Sequence, residues 1–509
     1  MPATRPWRVA LLIVAVLAAL SFIAIEPPAE QAHDAGLESL GTGRGDTESV
    51  ANVGAADGGT GSGEGGIGGT GTGASSAGTG ASTGGAGRTG TASGTQSGGA
   101  SKSAAALECK AGRNGGKTAP GVSGNRIKLA ATNVRSGTGA SFLGTAYIGM
   151  QAVVNRVNAA GGICGRLLDL KLVDDGWSAP RGGLYIATFA KEDYFALPVV
   201  PSSEGLTQAI INHTIDDAAI PVVGSDGMLK EQYSSPWVWP VATSTVATMR
   251  IMTKYAFDNG ARTFGIVYDN KYRFGVEGHD AFVEYVSELT GAKPKADVPL
   301  LPEQSKYSGE ANSFNEQCGP QGCDFVAMLL TPETANTYIN SQPQLADTGR
   351  RRGFGRIMTG GAQPLFNERF ARDCKAACDG MLVWTGYNPP IGGLSSEKDV
   401  AAYVDDVRSV DPQVDVNNQF LQGSYIGMKV FVAALEKVGP DLTRANLKAA
   451  LDSITFESGL SSPLSWKSSR FANNAAQPFR VATAGGDFLG FAEVGTGFLQ
   501  DPHPGRVPG

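Results

Sequence analysis

Histidine is scarce here, at four in 509 residues. The cysteines stand at C-x4-C and C-x3-C spacings instead of paired C-x2-C. Both absences argue against a metal centre. A basic stripe is missing as well. The net charge is −6, and the one clear cationic cluster (Arg350, Arg351, Arg352 and Arg356) reads first as a solvated turn and second as an anion patch. With nothing to neutralise a run of phosphates, nucleic acid is excluded as a partner. Large apolar residues are nearly absent from residues 41–107, a tract of Gly, Ser, Thr and Ala. Such a tract cannot offset its ordering entropy by burial and is expected to stay disordered.

What is present begins with MPATRPWRVALLIVAVLAALSFIAIEPP. Arg5 and Arg8 precede an apolar run from Val9 to Ile25, which is long for a secretory core and short for a spanning helix. No small-x-small cleavage site follows it, and no Cys follows closely enough for a lipoprotein signal. An uncleaved anchor is favoured over a cleaved signal, with the positive charge kept inside and the rest of the chain outside. The linker from residue 27 would span roughly 45–55 Å as a Gly-rich coil. In that extracytoplasmic setting six cysteines suggest disulfides. Cys318/Cys323 and Cys374/Cys378 are near enough to pair locally, which leaves Cys109 for Cys164; other pairings stay open.

After Asn125 strand-like and helix-like segments alternate. IKLAAT, LLDLKLVDD, FALPVV and IPVVG are expected strands, with helices over 141–160, 181–192 and 206–218 between them. A second series follows Pro240: helices over 244–259, 276–290, 308–317 and 333–341 alternate with FGIVYD, ADVPLL, DFVAMLL and GRIMTG. GMLVWTGY is one more strand, followed by helices near 397–409, 422–438 and 443–453. From Pro463 the tail reads as irregular strands and turns. Alternation of this kind implies right-handed crossovers and parallel sheets, and two series imply two lobes.

Chemical motifs are weak. AGRNGGKT (111–118) is a loose phosphate-loop match, but linker precedes it and Pro120-Gly121 follows, where a strand and a helix are needed. GTGASFLG (137–144) has four residues before its last Gly where a dinucleotide loop has two. Ser202, His213 and Asp216 are the residue types of a triad, but no G-x-S-x-G surrounds Ser202, and His213 falls in an expected helix. No catalytic residue and no cofactor are assigned. Two strand-end loops are better signals: Ser202-Ser203 and Gly224-Ser225-Asp226 lie where an open parallel sheet binds ligands. Hydroxyls and free N–H groups at a helix start suit a carboxylate, although N-capping and a tight turn would use the same residues.

GTAYIGMQAVVNRVNAAGGICGRLLDLKLVDD, IPVVGSDG, FGIVYDNKYRFGVEGHDAFVEYV and FLQGSYIGMKVFVAALEKVGPDLTRANLKAALDSI, with SSPLSW (461–466), stand in an order that resembles the leucine/isoleucine/valine-binding proteins. These are type I periplasmic solute-binding proteins of ABC importers. The resemblance covers about residues 121–490. It implies an α/β fold of two Rossmann-like lobes joined by a hinge that closes on a ligand. It places Ser202 and Ser203 at the ligand carboxylate and Ser225 and Asp226 at the amino-acid head. Phe142 falls near the first-lobe side-chain contact, and Phe274 where the family usually has Tyr. The loop that supplies an acid in amino-acid binders is TGGAQPLFN (359–367), which has none, and LTPET replaces an expected aromatic. An unpaired, desolvated ammonium would cost several kcal/mol, which disfavours a branched-chain amino acid unless Asp226 supplies the charge.

The expected organisation is therefore a signal-anchor or signal peptide (1–26), a linker (27–120) and a bilobed solute-binding domain (121–509). Lobe 1 is expected over about 121–242 and 380–455, and lobe 2 over about 243–379 and 456–495. The expected function is extracytoplasmic capture of an amino acid, amide or small organic acid for an ABC permease. A ligand-sensing ectodomain for a membrane partner and an extracellular α/β enzyme are the alternatives. The enzyme lacks any visible nucleophile–base pair.

Overall fold

The computed structural model describes residues 107–224, 230–344 and 351–508. The amino-terminal run Val9–Ile25 and the linker up to residue 106 lie outside them. Among the described residues, no helix is long and apolar enough to cross a membrane.

The first sheet is parallel. β1 (Arg126–Asn133) pairs with β2 (Leu167–Asp174) along its whole length, and β3 (Val222–Val223) pairs with β4 (Val238–Trp239). The expected strand FALPVV joins them only through single bridges, Leu129 to Ala196 and Leu197 to Val222. Pro198 has no N–H to donate, so the ladder stops there. β1 is buried almost end to end because helices cover both faces. Ile127, Leu129 and Ala131 face the helices Ala146–Ala159 and Gln419–Val438, and Ala130 faces Ala179–Lys191 and Ser203–Ile211. At Gly149 a Cβ would stand 2.4 Å from the Leu421 carbonyl oxygen, so the first pair of helices touch backbone to backbone there.

The second sheet runs β6 (Ala296–Leu300), β5 (Phe264–Asp269), β7 (Phe325–Leu329), β8 (Met358–Gly361) and β9 (Leu382–Thr385), all parallel. It is then extended antiparallel by β12 (Ala475–Ala484) and β13 (Asp487–Glu493), so this sheet is mixed and not purely parallel. The small pair β10 (Thr455–Phe456) and β11 (Leu464–Ser465) and the final strand β14 (Leu499–Gln500) complete the set. The tail that read as irregular is in fact a long hairpin: Gly485-Gly486, both at positive φ, turn it, and its apolar face (Phe479, Val481, Phe491) packs on the sheet's second core. β7 alternates as its burial demands. Phe325, Ala327 and Leu329 meet the helices Thr245–Asp258 and Arg273–Thr290, and Val326 and Met328 meet those around Phe314 and Tyr338.

The helix expected over 141–160 is broken at Gly144-Thr145, and the one over 206–218 at Asn212-His213, where His213 turns left-handed at φ 58°. The chain passes from the first sheet to the second around Pro240–Thr243, returns after β9, and crosses again between Trp466 and Ala475. The crossings are tied to each other. Thr243 Oγ1 donates to Ala475 O at 2.6 Å, Asn473 Nδ2 to Val241 O and Gly386 O, Gln477 Nε2 to Tyr387 O, and Trp466 Nε1 to Pro240 O. Three disulfides close: Cys109–Cys164, Cys318–Cys323 and Cys374–Cys378.

Candidate functional site

A narrow pocket of about 20 Å³ lies where the crossings meet the two halves. Pro201 and Gly224 border it from the first half, Thr243 and Tyr387 from the crossings, Gln363 from the second half, and Phe420 from the helix Gln419–Val438. None of its lining side chains carries a charge at neutral pH. Gln363 ties the walls together. Its amide donates to Thr243 O at 2.7 Å and accepts from Thr245 Oγ1, while its backbone oxygen accepts from Gln419 Nε2. Gly224 must be glycine here: at φ 72° a Cβ would lie 2.7 Å from the Gly427 Cα.

Next to the pocket, aromatic rings fill the seam between the halves. Phe142 packs edge-on to Trp177 (5.3 Å between centroids) and against Phe420 (5.4 Å). Trp177, from the first half, stacks on Tyr272, from the second, at 4.3 Å and 28°. Phe274 lies 6.1 Å from Trp177. The Trp177 indole N–H donates to Ser203 Oγ at 3.3 Å. Ser203 opens the helix Ser203–Ile211, but Ser202, at its cap position, makes no capping bond. The Ser202 and Thr132 hydroxyls approach the Asp175 carboxyl without completing well-formed hydrogen bonds. Burial raises the Asp175 pKa, against the hydrogen bonds that lower it.

Around this seam the halves are latched by polar contacts. Thr138 Oγ1 donates to Glu303, which also meets Lys271 and the Tyr272 hydroxyl; Ser141 Oγ donates to Glu333. Arg273 faces Glu204 at 3.8 Å and Glu231 at 3.7 Å, and Lys230 N donates to Glu277. Burial first, and then the Glu231 charge, push the Glu277 carboxyl up to about 7.

Ser202, Ser203, Phe142 and Phe274 are all buried, and of these Ser203, Phe142 and Phe274 gather around Trp177. Ser225 and Asp226 lie outside the described residues. His213 sits in the left-handed link, and Asp216 accepts from Ser235, so the triad's residues have other roles. Trp177, Tyr272, Gln363 and Gln419 were not singled out from the sequence.

Asp269, at the end of β5, is fully buried and accepts from Thr331 N at 2.7 Å; burial raises its carboxyl to about 7. The native state therefore holds a proton that the unfolded chain releases near pH 3.8. Stability from this group is complete below that value and is lost as pH rises through about 7. Asp269→Asn is expected to flatten that decline. Urea melts of both proteins between pH 4 and 7 check it, and parallel curves would refute it.

A family model described as "Periplasmic binding protein" matches residues 126–487. The chain belongs to that family. The family implies an extracytoplasmic location, a setting in which three disulfides persist. Solved structures share the fold at low identity. The fatty acid ABC transporter substrate-binding protein from Thermomonospora curvata superposes with a TM-score of 0.62 at 17% identity, covering 76% of this chain and 95% of that one. The leucine-binding protein LivK from Thermotoga maritima gives 0.58 at 16%, covering 72% and 99%. The branched-chain amino acid binding protein LivJ from Streptococcus pneumoniae, in complex with isoleucine, gives 0.57 at 14%, covering 74% and 100%. No curated protein sequence matches the chain significantly.

Proposed function

We propose that this protein captures a small organic solute outside the cytoplasm by closing its two halves, for delivery to an ABC importer. The observation that carries this reading is the uncharged pocket with walls from both halves and from the crossings between them. A site so built exists only when the halves meet, so a ligand that bridges them stabilises the closed arrangement. Ser203, Phe142 and Phe274 are the proposed contacts from the sequence that border this seam, with Ser202 behind them, and Ser225 and Asp226 are proposed to complete it. The related folds serve a fatty acid importer and an isoleucine-binding protein, so the architecture accommodates chemically unlike solutes. No catalytic step is part of this reading.

The test is calorimetric titration and thermal unfolding of the purified full-length protein with amino acids, amides and short carboxylates. A ligand at a hundredfold excess over its Kd is expected to add about 2.7 kcal/mol to the native state and to raise the melting temperature. If no organic solute of any class binds, the capture reading fails.

A further inference from the structure

We infer that the captured solute carries a flat, uncharged ring, and that Trp177 and Tyr272 hold it from opposite sides of the cleft. This rests on the solute-capture reading and narrows it. The two rings come from different halves, so their stack at 4.3 Å forms only where the halves close on each other. A planar group entering between them replaces one ring contact by two, with no loss of apolar burial and with the same offset geometry that aromatic faces prefer.

The backbone is arranged to present this indole. Trp177 adopts a left-handed φ of 61°, uncommon for a bulky side chain. The Asp175 side chain holds that turn by accepting from Trp177 N at 2.9 Å. Gly139 leaves room beneath the ring, since a Cβ there would stand 3.1 Å from the indole. From Trp177 the aromatic surface continues through Phe142 to Phe420 and so reaches the pocket at the crossings.

Among the described residues, the pocket at the crossings offers a solute no charge. The pocket has no charged lining side chain, and the second-half loop over 359–367 holds no acid. Of the charges along the seam, Glu303 pairs with Lys271, Glu204 with Arg273, Glu333 accepts from Ser141, and the Asp175 carboxyl beside the indole accepts from Trp177 N. A charge on the ring itself would have to shed its hydration against those neutral walls.

The experiment is calorimetry on the full-length protein with two probe sets: benzamide and nicotinamide as neutral rings, leucine and butyrate as charged aliphatic solutes. The neutral rings are expected to bind. Trp177→Leu and Tyr272→Leu are each expected to weaken them about tenfold, and Trp177→Tyr to retain most of the affinity. Far-UV circular dichroism and melting curves establish that each variant is folded. Binding of leucine or butyrate with none by the rings overturns this inference and leaves solute capture standing. Ring binding untouched by both leucine variants overturns it too. Silence across both sets, and across the wider panel above, overturns both proposals together.

Discussion

Arg250→Ala is expected to lower the unfolding free energy by about 3–5 kcal/mol. Arg250 lies in the helix Thr245–Asp258, and its side chain is 3% exposed while that of Asp501 is 0% exposed. The guanidinium meets the carboxylate with both prongs, at 2.8 and 2.7 Å, and also donates to His503 O at 3.1 Å. Removing the cation alone strands a dehydrated carboxylate under the tail, which is the costly case. Replacing both partners, as Arg250→Met with Asp501→Leu, strands nothing and is expected to recover most of the loss. The consequence reaches the site, because the same helix begins beside Thr243 and Thr245, which hold Gln363 at the base of the pocket. Denaturant unfolding of the single and double variants decides the matter; a single variant within 1 kcal/mol of the parent, as surface positions show, would contradict a buried pair.

Replacing Cys109 and Cys164 together by Ser is expected to cost about 4 kcal/mol, from the loop-closure entropy of a bridge spanning 55 residues. The same replacement at Cys318 and Cys323, which are 5 apart, is expected to cost about 2 kcal/mol. The longer bridge also orders its surroundings. It lashes the leading segment to the turn after the helix Ala146–Ala159, where Asn114 Nδ2 donates to Cys164 O at 2.8 Å. Fully buried Arg166 donates from that turn to the carbonyls of Ser123 and Asn114. Urea melts of the two paired variants check the ranking. A larger loss at the short bridge would mean that native packing around the sulfurs, and not chain entropy, sets the effect.

Much of the architecture was legible along the chain. FGIVYD reads as a buried strand and is β5, Phe264–Asp269, because five apolar or small residues between turn signals have few other solutions. The helix Arg273–Thr290 was legible for the same reason, though it starts three residues earlier than its periodicity suggests. FALPVV was misread because apolar content marks burial, whereas a strand also needs a donor at each step, and Pro198 withholds one. The breaks at Gly144-Thr145 and His213 follow from packing: each half-helix keeps an apolar residue (Leu143, Ile148, Ile210, Ile215) against its core, which a straight helix could not do at both ends.

The seam was less visible. Nothing in residues 171–180 says that Trp177 will lie on Tyr272, since stacking across a cleft leaves no periodic trace in either segment. Gln363 and Gln419 are equally silent: an amide's partners depend on which backbone groups the crossings leave exposed. Periodicity, turn residues and the missing acid are local or compositional properties, so the chain alone determined an α/β protein with two strand–helix series and no acid in the loop 359–367. Which aromatic rings meet, which carboxylates end up dehydrated, and where the pocket lies were decided only in three dimensions. Those outcomes depend on contacts between residues tens to hundreds of positions apart, whose free energy exists only once the chain has folded.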